Sequence, residues 1–114
     1  LALKNAAAAT VTFQRLTSNE QKNNYIDVAS ALSTPRNFSI SHQMTTAQKG
    51  VDRHLIKVTK TALDAASQPC TATLNVTLNV PRTGTTRADV DDLIAIAKDF
   101  LITANVDKVL RGEV

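Results

Sequence analysis

The hydrophobic period of this chain changes once, just after Pro81, and that change dictates what it can fold into. Before it, apolar residues recur at every second position. Residues 73–81, TLNVTLNVP, place Leu74, Val76, Leu78 and Val80 on one side and Thr73, Asn75, Thr77 and Asn79 on the other. Period two is the pattern of a strand with one face buried. Residues 38–45, FSISHQMT, alternate in the same way: Phe38, Ile40, His42 and Met44 oppose Ser39, Ser41, Gln43 and Thr45. In residues 53–63, RHLIKVTKTAL, His54, Ile56, Val58 and Lys60 oppose Arg53, Leu55, Lys57 and Thr59. Residues 10–15, TVTFQR, predict an earlier strand, with residues 1–4 as its short partner and a turn near Asn5. A polar loop is expected at NEQKNN, residues 19–24, followed by a strand over 25–32 with Ile26, Val28 and Leu32 on one face.

After RTGTT the period becomes helical. Val90, Leu93, Ile94, Ala97, Phe100, Leu101 and Ala104 follow i, i+3, i+4, i+7 spacing, which predicts one long amphipathic helix. Thr86 is its expected N-cap, with Asp89 completing a capping-box variant. Asp89, Asp91 and Asp92 suit the positive end of the helix dipole. Asn105 is the expected cap of a second short helix carrying Val106, Val109 and Leu110.

Strands first and helices last argue an α+β fold: an N-terminal β-hairpin, an antiparallel sheet of about five strands and two C-terminal α-helices. The 114 residues suit a single domain, with the hairpin over 1–18, the main sheet over 25–81 and the helices over 86–112. One long helix and one short one are too little to cover so wide an apolar sheet face. A second copy must supply the rest, which predicts an obligate homodimer.

Charge is uneven along the chain. Residues 1–63 carry a net +5 and residues 64–114 a net −2. A basic surface built by the first half would suit a polyanion. No apolar run approaches the length of a membrane span, and the first ten residues, LALKNAAAAT, do not read as a signal peptide. The one cysteine, Cys70, excludes an internal disulfide and has no zinc-ligand spacing around it.

Nothing in the pattern points to catalysis, a metal or a cofactor. His42 and His54 lie on apolar strand faces, Cys70 has no nearby histidine in sequence, and RTGTTR lacks the phosphate-loop spacing. The polar strand faces are more informative. Side by side they form a surface of hydroxyls and amides with Arg53 and Lys57 as fixed cations. Such groups bind phosphate, sugar and base edges. An ordinary solvated sheet face has the same composition, so the residues alone leave both readings open. With aromatics at 4%, Tyr25 is the one candidate for base stacking.

The order and lengths of these segments resemble the coat proteins of single-stranded RNA bacteriophages, the levivirus group. The likeness is best over NFSISHQMTTAQKGVDRHLIKVTKT and ATLNVTLNVPRTGTTRADVDDLIAIAKDFL. It implies a structural capsid protein and no enzyme: an interlocked homodimer with a continuous sheet and helices on one face. Dimers would build an icosahedral shell of the T=3 type around single-stranded genomic RNA. The inward sheet would bind an RNA stem-loop operator and repress replicase translation. A maturation protein is the implied further partner. The location would be the virion, assembled in the bacterial host cytoplasm, with no membrane involved.

By position, the resemblance places Lys57 and Asn75 on RNA contacts, with Ser41, Gln43, Thr45 and Arg53 on neighbouring strands and Thr59, Thr73 and Thr77 on the same face. Leu55, Thr73 and Thr77 depart from residues common in the family, so the hairpin read by relatives is not expected to be read here. The loop LDAASQPCTA, with Asp64, Gln68, Pro69 and Cys70, matches the loop that gathers at the shell's symmetry axes. A single cysteine cannot close a covalent ring there, and Cys70 is expected as a reduced thiol. The alternative from another class is a cellular dimeric β-sheet regulator that binds nucleic acid.

Overall fold

A computed structural model describes residues 1–19 and 21–113. Glu20, within the expected polar loop, and Val114, at the end of the expected domain, lie outside the described residues. The fold is α+β: six antiparallel strands, then two helices. The strands are β1 (Ala2–Lys4), β2 (Thr10–Ser18), β3 (Lys22–Asp27), β4 (Arg36–Gln43), β5 (Val51–Leu63) and β6 (Pro69–Pro81). The helices are α1 (Arg87–Phe100) and α2 (Thr103–Leu110). The sheet therefore has six strands rather than about five, in the order β1-β2-β3-β4-β5-β6, each paired with its neighbour in sequence.

Several boundaries differ from the sequence pattern. The polar segment KNN, residues 22–24, expected in a loop is strand: β3 begins at Lys22 and ends at Asp27, and Val28 and Leu32 lie in the turns beyond it. Asparagine is a poor strand former, but here Asn23 and Asn24 pair with both β2 and β4, and pairing overrides propensity. Cys70 is not in a loop. β6 starts at Pro69, opposite Leu63, a first position that tolerates proline's missing N–H.

The single long helix expected through Ala104 breaks at Leu101, whose N–H still reaches the Ala97 carbonyl, 3.1 Å. Ala104 then belongs to α2. Asn105 does not cap that helix. The N-cap is Ile102, with no side-chain hydrogen bond, while Asn105 Nδ2 donates back to the Phe100 carbonyl, 2.8 Å. The N-terminus of α1 is as expected: Thr86 and Asp89 form the capping box. Both donations from Thr86 to the carboxylate, backbone first, hold Asp89 below the usual carboxylate range.

Two hairpin loops share one construction. In residues 5–9, Asn5 Oδ1 accepts from the Ala7 and Ala9 amides, both 3.0 Å. In residues 64–68, Asp64 Oδ1 accepts from the Ala66 and Gln68 amides, 2.8 and 2.9 Å. The fourth residue of each, Ala8 and Ser67, has φ of 59°. An Asn or Asp that bonds the following backbone is the usual nucleus of such a turn.

The chain is open. Phe13, 6% exposed, is the one buried apolar residue of the described chain, seated against Phe38 with ring centroids 5.8 Å apart. No residue of either helix is buried, and Leu93 and Leu110 are 63% and 79% exposed. The radius of gyration is 16.9 Å, against about 13 Å for a compact chain of this length. The accessible surface is 8645 Å², where a compact chain of this mass has about 6,100 Å². The excess is about 2,500 Å², and much of it is apolar: the helix stripes and the sheet face bearing Leu74 and Val76 stay uncovered.

Candidate nucleic-acid interface

The two faces of the main sheet divide sharply by chemistry, and the register says how. On one face the pairs Asn24–Ser39, Ser39–Lys57 and Lys57–Asn75 align a single row across four strands. Parallel rows run Asn37–Thr59–Thr73, Ser41–Leu55–Thr77 and Gln43–Arg53–Asn79. Neighbouring strands lie about 4.8 Å apart, so the four-strand row spans roughly 14 Å and the three-strand rows roughly 10 Å. Arg53 Nε donates to Asn79 Oδ1, 3.2 Å, and the Thr61 and Thr71 hydroxyls meet at 2.9 Å.

Among the described residues of β3 to β6, the charge on this face has one sign. Lys22, Arg53 and Lys57 point to it. Both carboxylates of β3 to β6, Asp27 and Asp52, point to the other face. There Asp27 pairs with Arg36 at 3.6 Å, and Asp52 takes the Thr45 amide at 2.9 Å and Arg82 at 3.4 Å. The Thr45 amide, with Arg82 adding to it, holds the Asp52 carboxyl below its usual range. Among the described residues, the polar face of β3 to β6 thus offers three cations and a grid of uncharged donors and acceptors with no acid among them. A shallow depression of about 400 Å³ on it is lined by Lys22, Asn24, Asn37, Ser39, Lys57 and Thr59 among others.

Most of the residues singled out from sequence fall together here. Ser41, Gln43, Arg53, Lys57, Thr59, Thr73, Asn75 and Thr77 occupy one continuous grid. Thr45 lies past the end of β4, where its hydroxyl accepts from the Ala47 amide at 3.1 Å. Its side chain fills the space a Cβ on Gly50 would need, so Thr45 and Gly50 shape the β4–β5 turn together. Lys22, Asn24, Asn37, Ser39 and Asn79 extend the grid. Lys22 and Asn24 escape a sequence reading because alternation is invisible where both faces of a strand are polar.

Tyr25 is a correction. It pairs with Phe38 on the opposite, apolar face, edge-on at 6.0 Å, and forms an aromatic run with Phe38 and Phe13. It cannot stack a base on the polar grid. Of the loop residues, Asp64 and Gln68 close the β5–β6 hairpin, while the exposed Cys70 has its Sγ 3.8 Å from the Gln68 carbonyl and 4.0 Å from Asp64. Among the described residues, no three His, Cys, Asp or Glu side chains gather as a metal cluster, and no helix is long and apolar enough to cross a membrane.

By sequence, no protein family and no curated protein matches the chain. Solved structures do. A virus-like particle of bacteriophage GQ-907 aligns with a TM-score of 0.75 at 14% identity, over 91% of this chain and 83% of that one. A virus-like particle of bacteriophage ESE020 gives 0.74 at 18% identity, over 99% and 93%. The coat protein of bacteriophage EMS014 gives 0.63 at 16% identity, over 86% and 68%.

Proposed function

We propose that this chain, which has the fold of the coat subunits of levi-like bacteriophage particles, is itself a capsid subunit of a single-stranded RNA phage. The observation that carries this reading is the accessible surface of 8645 Å². The excess of about 2,500 Å² per chain, taken from both members of a pair, falls at the large, apolar end of obligate homodimer interfaces. Two copies exchanging helices over each other's apolar sheet faces would account for it. The dimers would then close into an icosahedral shell of the T=3 type, in the virion, with the polar grid turned inward.

The grid gives the second half of the proposal. It binds single-stranded genomic RNA, with Lys22, Arg53 and Lys57 neutralising phosphate and the Ser, Thr and Asn rows contacting sugar and base edges. Binding of one stem-loop there would repress replicase translation and mark the RNA for packaging. A maturation protein would complete the particle, which would assemble in the host cytoplasm. The role is structural and binding, and no catalytic step is assigned.

Electron microscopy of the purified protein tests the shell: uniform closed particles holding nuclease-protected RNA are expected. Dimers that stay isolated with RNA added would favour a cellular regulator instead. Lys57→Ala tests the grid. RNA affinity should fall, and the slope of log affinity against log salt should flatten by about 0.7 to 0.9 for one lost phosphate contact. An unchanged slope removes Lys57 from the site.

A further inference from the structure

We propose that His42 and His54 form a chelating site for a divalent transition-metal ion, Cu(II) above all, on the sheet face opposite the polar grid. The two residues pair directly across β4 and β5, and their Nδ1 atoms stand 2.8 Å apart. Their rings meet edge to face, with centroids 5.0 Å apart and planes inclined by 73°. A metal–imidazole bond is about 2.0–2.1 Å. Two nitrogens 2.8 Å apart, each at that distance from one ion, subtend close to a right angle at the ion. That is the cis angle of a tetragonal Cu(II) or Ni(II) site, and it is narrower than the tetrahedral angle Zn(II) prefers. Copper also heads the affinity order for nitrogen ligands.

The backbone holds the two side chains next to each other before any ion arrives. His54 lies inside a ladder, paired with His42 on one side and Leu78 on the other. The His42 N–H donates to the Gln21 carbonyl, 2.7 Å, which fixes the end of β4. Ligands preset on strands bind more tightly than ligands that must be gathered. In the metal-free protein one Nδ1–H donates to the other Nδ1. On binding, that proton transfers to the outer Nε2 of the same ring and the two rings turn so that both Nδ1 lone pairs converge on the ion; no net proton is lost. Water or an added ligand completes the coordination. Both histidines are half-buried in the chain. The site does not depend on the capsid reading, because β4 and β5 of one chain supply both ligands.

The test is Cu(II) itself, titrated into the wild-type protein in its native oligomeric form, followed by calorimetry and electron paramagnetic resonance. One ion per chain is expected, with a tetragonal spectrum and hyperfine structure from two nitrogens. His42→Gln and His54→Gln should each weaken binding at least about tenfold. Circular dichroism and particle size should be kept. Ni(II) should bind more weakly at the same place, and Cu(II) should raise the melting temperature of the wild type but not of either variant. The wild-type spectrum stands without the variants: a single-nitrogen or all-oxygen signal would overturn the site. So would a His42→Gln/His54→Gln double variant that binds Cu(II) as tightly as the wild type, since the ion would then be held elsewhere, as on the N-terminal amine.

Discussion

The sheet and the helices of this protomer are built to different degrees of completeness. The sheet pairs each strand with its neighbour in sequence, from β1 to β6, leaving the outer edges of β1 and β6 open, and anchors itself on Phe13 and the Asp27–Arg36 pair. The helices are locally well made, with a full capping box on α1 and an Arg87–Asp91 ion pair at 2.9 Å one turn on, yet they bury nothing. A helix draws most of its stability from packing an apolar face rather than from propensity. The sheet can specify its own shape, whereas in the proposed dimer the helices would find their surface on the second copy.

The largest expected effect follows from that difference. Leu93→Asp places a charge in the exposed apolar stripe of α1. If a second copy covers the stripe, dimers and particles should be lost altogether, as read by light scattering. A variant of unchanged size would mean the stripe faces solvent and the two regions are less different than they look. Phe13→Ala strikes the other side. Deleting the one buried aromatic anchor should destabilise the fold by about 3 kcal/mol, measured by urea unfolding. A loss below about 1 kcal/mol would show that the sheet, too, draws its stability from a partner.

Acid should separate the regions more gently. Asp52 in the sheet and Asp89 at the helix start both titrate below the ordinary value of 3.8 in the folded chain. Above that value their stabilisation is fully present. As pH falls below it, the unfolded chain takes up protons first, and the stabilisation fades until the folded carboxyls are also protonated. Asp52→Asn and Asp89→Asn should each flatten this acid limb of the stability curve. The check is unfolding midpoints from pH 5 downward, and an unaltered limb would show that neither tie matters. The smallest effect is a gain. Ser67→Gly relieves a left-handed backbone, φ 59°, and should add about 0.5 kcal/mol. It should tighten only the β5–β6 loop, visible as slower amide exchange there.

What could be read beforehand tracks how one-sided each segment is. β4, β5 and β6 carry apolar residues on one face and polar ones on the other, so alternation alone located them and the Lys57–Asn75 side of the grid. β3 could not be located in this way. Its Lys22, Asn23 and Asn24 look like loop, while Val28 and Leu32 beyond it continue an apolar pattern with no strand beneath. The break after Phe100 carries no glycine or proline to mark it, and Asn105 mimics a cap by composition. The histidine pair lay half in view. Alternation put both rings on the apolar side, but only the register of the hairpin sets residue 42 opposite residue 54.

That every strand lies beside its neighbour in sequence has a consequence in time. Each pairing closes a short loop, so the search for native contacts is local and folding should be fast for a sheet protein. Synthesis runs from the N-terminus, so the meander can zip up hairpin by hairpin while α1 and α2 are still being made. The helices emerge last, when the surface they would need on a second copy is already formed. If the proposed dimer forms, the rate of maturation should be governed by encounter between chains and rise with their concentration, while the zipping of each chain stays independent of it.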